Sequence, residues 1–164
     1  MDAPKELQTP SSIETNAARS VAEALNIALA DCYALYLKTK NFHWHVSGPH
    51  FRDYHLLLDD QATQILAVTD AIAERVRKIG ETTLRSIGHV GRLQRISDND
   101  SEFVHPHEML RELHKDNLAL VEDFREVKRL SEEAGDNATS GVVDDWTDEA
   151  EERAWFLFEA SRQS

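Results

Sequence analysis

Apolar residues recur along most of this chain at spacings of three and four, the period of one face of an α-helix. From Ala17 to about Lys40 the repeat is carried by Val21, Leu25, Ala28, Leu29, Cys32, Leu35 and Tyr36. The pattern continues to about His45, where Ser47-Gly48-Pro49 interrupts it. A second helix is predicted from Phe51 to Ile79, with Phe51, Tyr54, Leu58, Ile65, Leu66, Ile72, Val76 and Ile79 on its apolar side and Gly80 just past its end. The stretch from Thr82 to Asp100 is broken by Gly88 and Gly91 and has room for one short helix, about Thr83–Gln94. Pro106 suits the first turn of a helix running to about Glu133, with Met109, Leu110, Leu113, Leu120, Val121, Phe124, Val127 and Leu130 inward. After Ala134-Gly135-Asp136-Asn137, a last helix spans Thr139–Ser161, with Val142, Val143, Trp146, Ala150, Ala154, Trp155 and Phe158 inward.

Four long helices, one short one and no strand predict an all-α four-helix bundle. The extra helix lies in the long connection between the second and third long helices, long enough to cross the bundle from end to end. The expected division is a flexible polar leader over 1–14, the bundle over 15–161 and a short tail over 162–164.

Composition narrows the partners. Among 164 residues, 18 basic against 30 acidic groups leave a net charge of −12, which disfavours nucleic acid and anionic membrane and favours cations. The single Cys32 excludes an intrachain disulfide framework and a multi-cysteine metal site. The first twenty residues have no apolar core, so neither a secretory leader nor a spanning segment is expected there, and the expected location is the cytoplasm.

Potential metal ligands crowd the first turn and the second helix: His43, His45, His50, Asp53, His55, Asp59, Asp60, Asp70 and Glu74. Imidazole with carboxylate oxygen, and no thiolate, suits Fe, Mn or Zn. His55 and Asp59 are one turn apart, as are Asp70 and Glu74, so each pair shares a face. The pairs lie on nearly the same side of the helix but about 16 Å apart along its axis, too far for one metal or one dinuclear centre. They are, however, symmetric about the Gln64/Ile65 step. Two copies packed antiparallel around a twofold axis there would set Asp59 beside the partner's Asp70, and His55 towards the partner's Glu74, twice per dimer. An acidic pair on a helix is also what an ordinary solvated face looks like, and the spacing leaves both readings open.

Other metal and catalytic motifs fail. Glu102…His105 abuts Pro106 and has no second copy, and His107-Glu108 is followed by Arg111 where a zinc-protease helix needs histidine. There is no phosphate-binding or nucleophile-elbow motif.

The stretch Lys40–Gly80, with NFHWHVSGPHFRDYHLLLDD followed by DAIAERVRKIG, resembles the Dps family, the DNA-binding proteins from starved cells or mini-ferritins. The matching positions are His43-Trp44, Gly48, His55, Asp59, Asp70 and Glu74-Arg75, and the resemblance extends over about residues 15–161. It implies a ferritin-like subunit of a hollow homo-dodecamer whose ferroxidase centres lie at twofold interfaces. His43, His55 and Asp59 would come from one chain, Asp70 and Glu74 from its partner, with Trp44 close to the iron. It further implies oxidation of Fe(II), typically with hydrogen peroxide and otherwise with dioxygen, and storage of ferric oxide inside.

Two positions depart from the family pattern. His45 stands where asparagine is usual; with His50 it would add a secondary metal contact, or simply form a hydrogen bond closing the helix. Gly141 replaces a frequent aspartate near the family's threefold pore; Asp136, Asp144, Asp145 and Asp148 would still make such a pore acidic, or would simply form a solvated acidic face. Family members that compact the nucleoid use lysine-rich arms. Here the leader and tail offer few cations, so DNA binding through the termini is not expected.

Overall fold

The computed structural model describes residues 2–163; Met1 and Ser164, the outermost residues of the expected leader and tail, lie outside it. A 3-10 turn at Lys5–Leu7 precedes five helices: α1 Thr15–His45, α2 Phe51–Lys78, α3 Ile87–Leu93, α4 Pro106–Glu133 and α5 Asn137–Ser161. No strand occurs among the described residues. The all-α four-helix architecture with a short helix in the long connection is therefore as expected.

Helix limits differ from the periodic pattern where a polar side chain takes over the end. Glu14 caps α1 by accepting from the amides of Asn16 and Ala17, at 3.0 and 2.9 Å, which starts the helix before the first apolar position. Ser86 accepts from the His89 amide and delays α3 to Ile87. Asp136 caps α5 through the Thr139 amide and starts it at Asn137. Gly48 closes the α1–α2 turn with φ +103°, a conformation that costs glycine little.

Short turns make α1–α2 and α4–α5 two hairpins, and α1 packs on α4 while α2 packs on α5. The core is the stripe read from the sequence on α1 and α4, with Leu25, Leu29, Leu35, Leu110, Leu113, Leu120 and Phe124 fully buried. The expected inward set on α5 needs correction. Trp155 is 62% exposed, and Val142 and Phe158 also face outward. Trp155 follows the buried Trp146 by about two and a half helical turns, which points it to the opposite side. Phe51 and Leu66 of α2 are likewise exposed.

The long connection runs alongside α1, fastened by a polar stripe that apolar periodicity does not register. Asn26 exchanges hydrogen bonds with the Thr82 carbonyl and the Thr83 hydroxyl. Asp31 accepts from the Arg95 and Ile96 amides at 2.7 and 2.9 Å. Lys38 donates to the Ser97 carbonyl and Asn41 to that of Asn99. Lys38 is nearly buried, and Asp116 at 2.8 Å and Glu112 at 3.2 Å compensate its charge.

The leader lies against the end of α2. Arg77 donates to the carbonyls of Leu7 and Glu81, at 2.7 and 2.6 Å. Gly80 has φ +95°, and a Cβ there would come 2.9 Å from the Thr9 carbonyl oxygen, so a side chain would both strain the backbone and push the leader away.

Candidate metal centre

His43 ends the last full turns of α1 and His55 begins α2, so the glycine turn between them folds the two imidazoles together. Their rings stack with centroids 3.8 Å apart and planes 15° from parallel. His43 Nδ1 lies 2.7 Å from the His55 carbonyl oxygen, and His55 Nδ1 lies 2.8 Å from that of His43. A carbonyl only accepts, so each Nδ1 carries a hydrogen, which leaves Nε2 as the ring nitrogen that could ligate a metal. This crossed pair of bonds orients both rings, and Phe51 stacks on His55 at 4.9 Å.

Asp59 follows His55 by one turn of α2, with Oδ1 3.8 Å from His43 Nε2. Lys40, one turn before His43 on α1, donates to the same oxygen at 2.7 Å. That bond, and after it the Lys40 charge, hold the Asp59 carboxyl below the usual carboxylate range. The Lys40 ammonium also sits 5.9 Å from the centre of the Trp44 ring, which is exposed. His43, His55 and Asp59 are thus one cluster at one end of α2, with Trp44 beside it.

Asp70 and Glu74 are not part of that cluster. Both are exposed on the outward side of α2, and Glu74 pairs with Lys78 at 3.6 Å. Among the described residues of one chain, no group of three or more His, Cys, Asp and Glu side chains converges closely enough to hold a metal.

The remaining candidates have other engagements. His45 Nδ1 is bound 2.8 Å from both the backbone and side-chain oxygens of Asn41, the helix-closing bond that was one of the two readings for it. His50 precedes α2 with its ring 5.6 Å from that of Tyr54. Asp136 corrects the expected pore set. It is 3% exposed, caps α5, bonds to the Thr139 hydroxyl and lies 3.5 Å from Arg75, so it cannot face a channel. Asp144, Asp145 and Asp148 are exposed, and Asp144 accepts from Lys128 at 3.0 Å.

Sequence reasoning passed over Lys40, although its place one turn before His43 on the same helical side was legible. The carbonyls that orient the imidazoles are backbone atoms and leave no signature in a sequence.

Two hairpins, a long crossover and a histidine-carboxylate cluster where the first hairpin turns define a ferritin-like protein, and the family model described as "Ferritin-like domain" matches residues 22–161. The DNA protection during starvation protein of Agrobacterium fabrum is 33% identical over 157 residues, covering 92% of this chain and 93% of the relative. The low temperature-induced protein all0458 of a Nostoc species is 34% identical over 140 residues, covering 85% of this chain and 78% of the relative. The archaeal Dps homologue from Halobacterium salinarum superposes with a TM-score of 0.89 at 27% identity, covering 99% of this chain and 88% of that one. The chain belongs to the Dps family.

Proposed function

We propose that this chain is a subunit of a hollow homo-dodecamer that oxidises Fe(II) at twofold interfaces and stores the ferric product as an oxide mineral. The observation that carries this reading is the crossed His43–His55 pair, which orients both imidazoles through Nδ1 and sets His43 Nε2 3.8 Å from Asp59 Oδ1. His43, His55 and Asp59 have the nitrogen and oxygen character that suits iron but do not by themselves close on a metal, so the rest of the shell would come from a second chain. Asp70 and Glu74 lie outward on the same helix, where an antiparallel partner α2 would bring them opposite the cluster. Leu56 and Leu66, exposed and apolar on that helix, would be covered by the same contact.

The substrate chemistry follows from that pairing. Two Fe(II) ions supply two electrons to one hydrogen peroxide, whose O–O bond breaks to give two waters with two protons taken up. A lone Fe(II) would supply one electron and release hydroxyl radical. Carboxylates from both chains stabilise the Fe(III) that forms. Peroxide is the preferred oxidant in this reading, with dioxygen the slower one, and the protein protects the cell from oxidative damage. Asp144, Asp145 and Asp148, with no base between Ser131 and Glu152, would draw cations towards a pore.

The location that fits this role is the cytoplasm; among the described residues no helix is long and apolar enough to cross a membrane. DNA protection appears in the names of several relatives. Of the few terminal cations, Arg19 pairs with Asp2 and Arg162 with Glu159, which leaves little positive charge to neutralise phosphates.

Anaerobic Fe(II) titration followed by hydrogen peroxide tests the reading. The wild-type protein should bind Fe(II) saturably and oxidise it in a fast peroxide-dependent phase, and both His55→Ala and Glu74→Ala should lose that phase. Fast oxidation persisting in both variants would refute the assignment.

A further inference from the structure

A polar knot inside the bundle takes no part in the iron chemistry. Arg153 of α5 is 2% exposed, and its Nε donates to Asn117 Oδ1 of α4 at 2.8 Å. Asn117 is buried too, and its Nδ2 donates to the Leu113 carbonyl. Gln61 of α2 is 3% exposed, and its Nε2 donates to the Arg153 carbonyl at 3.2 Å. A carbonyl only accepts, so the Gln61 amide cannot be turned round, and Oε1 remains as its acceptor. Two atoms of the knot are left over. Arg153 Nη1, a donor, and Gln61 Oε1, an acceptor, are buried without a hydrogen-bond partner among the described residues. Groups left bare in this way cost stability. Both side chains line a pocket of about 100 Å³ between α2 and α5, which the exposed Asp60 and Glu152 line as well.

We propose that this pocket is a water site, in which an ordered water accepts from Arg153 Nη1 and donates to Gln61 Oε1. The donor and acceptor set selects the occupant. An anion suits the guanidinium but meets the carboxylates of Asp60 and Glu152 and an amide oxygen that has no hydrogen to give. A cation suits those oxygens but meets the guanidinium. Water is neutral and serves both ends, and the volume exceeds the roughly 10–15 Å³ that one molecule needs. The bridge closes a tie from α2 through α5 to α4. Gln61 stands on α2 between the His55–Asp59 and Asp70–Glu74 pairs, so this tie holds the middle of the helix that carries both.

A high-resolution crystal structure of the assembled wild-type protein, with and without a bromide soak, tests the site. A density peak should lie at about 2.7–3.2 Å from both Arg153 Nη1 and Gln61 Oε1, without an anomalous signal after the soak. A bromide peak there, a dry pocket, or direct pairing of Arg153 Nη1 with Glu152 or Asp60 overturns the proposal. Thermal unfolding of Gln61→Met, Arg153→Met and the double variant gives a second reading. Each single change should lower the midpoint, and the double variant should fall by less than the sum, because either change already breaks the bridge. Fully additive losses overturn the bridge. Should the variants fail to assemble, the wild-type crystals decide alone.

Discussion

If each metal centre takes His43, His55 and Asp59 from one chain and Asp70 and Glu74 from another, two inactive variants can repair one another. His55→Ala spoils the first half of the shell and Glu74→Ala the second. Asp59 and Asp70 lie on the same side of α2 but about 16 Å apart along it, so one chain cannot bring both halves to the same ion. In a mixed dimer one centre inherits both lesions and the other inherits neither. With equal amounts and random pairing, about half the dimers are mixed and about a quarter of all centres are whole. Co-expression with distinguishable tags, native mass spectrometry to establish mixing, and stopped-flow oxidation of Fe(II) by peroxide measure the outcome. The fast-phase amplitude should return to about a quarter of wild type in co-assembled protein and stay at the single-variant level when separately assembled proteins are combined. No recovery in demonstrably mixed dimers would refute the shared centre.

Three further outcomes follow from particular contacts. Lys40→Met removes an ammonium bound to Asp59 at 2.7 Å; a competing cation disappears while the carboxylate stays ionised at pH 7, so Zn(II) or Co(II) should bind several-fold more tightly by calorimetry, and unchanged or weaker binding would contradict this. Asp136→Ala removes a buried helix cap and the partner of Arg75; it should lower stability by about 1–2 kcal/mol in thermal or denaturant unfolding while leaving the metal-free histidine cluster intact. Asp144→Asn with Asp145→Asn should slow iron uptake at low ionic strength and matter less as salt rises; equal uptake at low salt would remove these residues from any cation funnel.

The helices could be read from the sequence because each long one repeats apolar residues at its own period, and that period survives in the fold on α1 and α4. Their ends could be read less well, since Glu14, Ser86 and Asp136 act through hydrogen bonds to local amides rather than through apolar spacing. Burial of Trp155 and Phe158 was misjudged for a related reason. Periodicity counts an aromatic as inward without asking which other surface could cover it. Composition likewise excluded a multi-cysteine metal site without any coordinates, because Cys32 is single.

The candidate centre divides along the same line. His43, His55, Asp59, Asp70 and Glu74 stand out in the chain because ligand chemistry is a property of side chains and their one-turn spacing belongs to the helix itself. Three features exist only once the chain is folded: the stacking of two imidazoles, their crossed bonds to each other's carbonyls, and the Lys40 bond to Asp59. So do the stripe of α1 that carries the long connection and the burial of Asp136. All these depend on backbone atoms, or on residues far apart in sequence whose distance is set by the packing of one helix on another. A linear pattern encodes direction around a helix axis; it does not encode what waits on the other side.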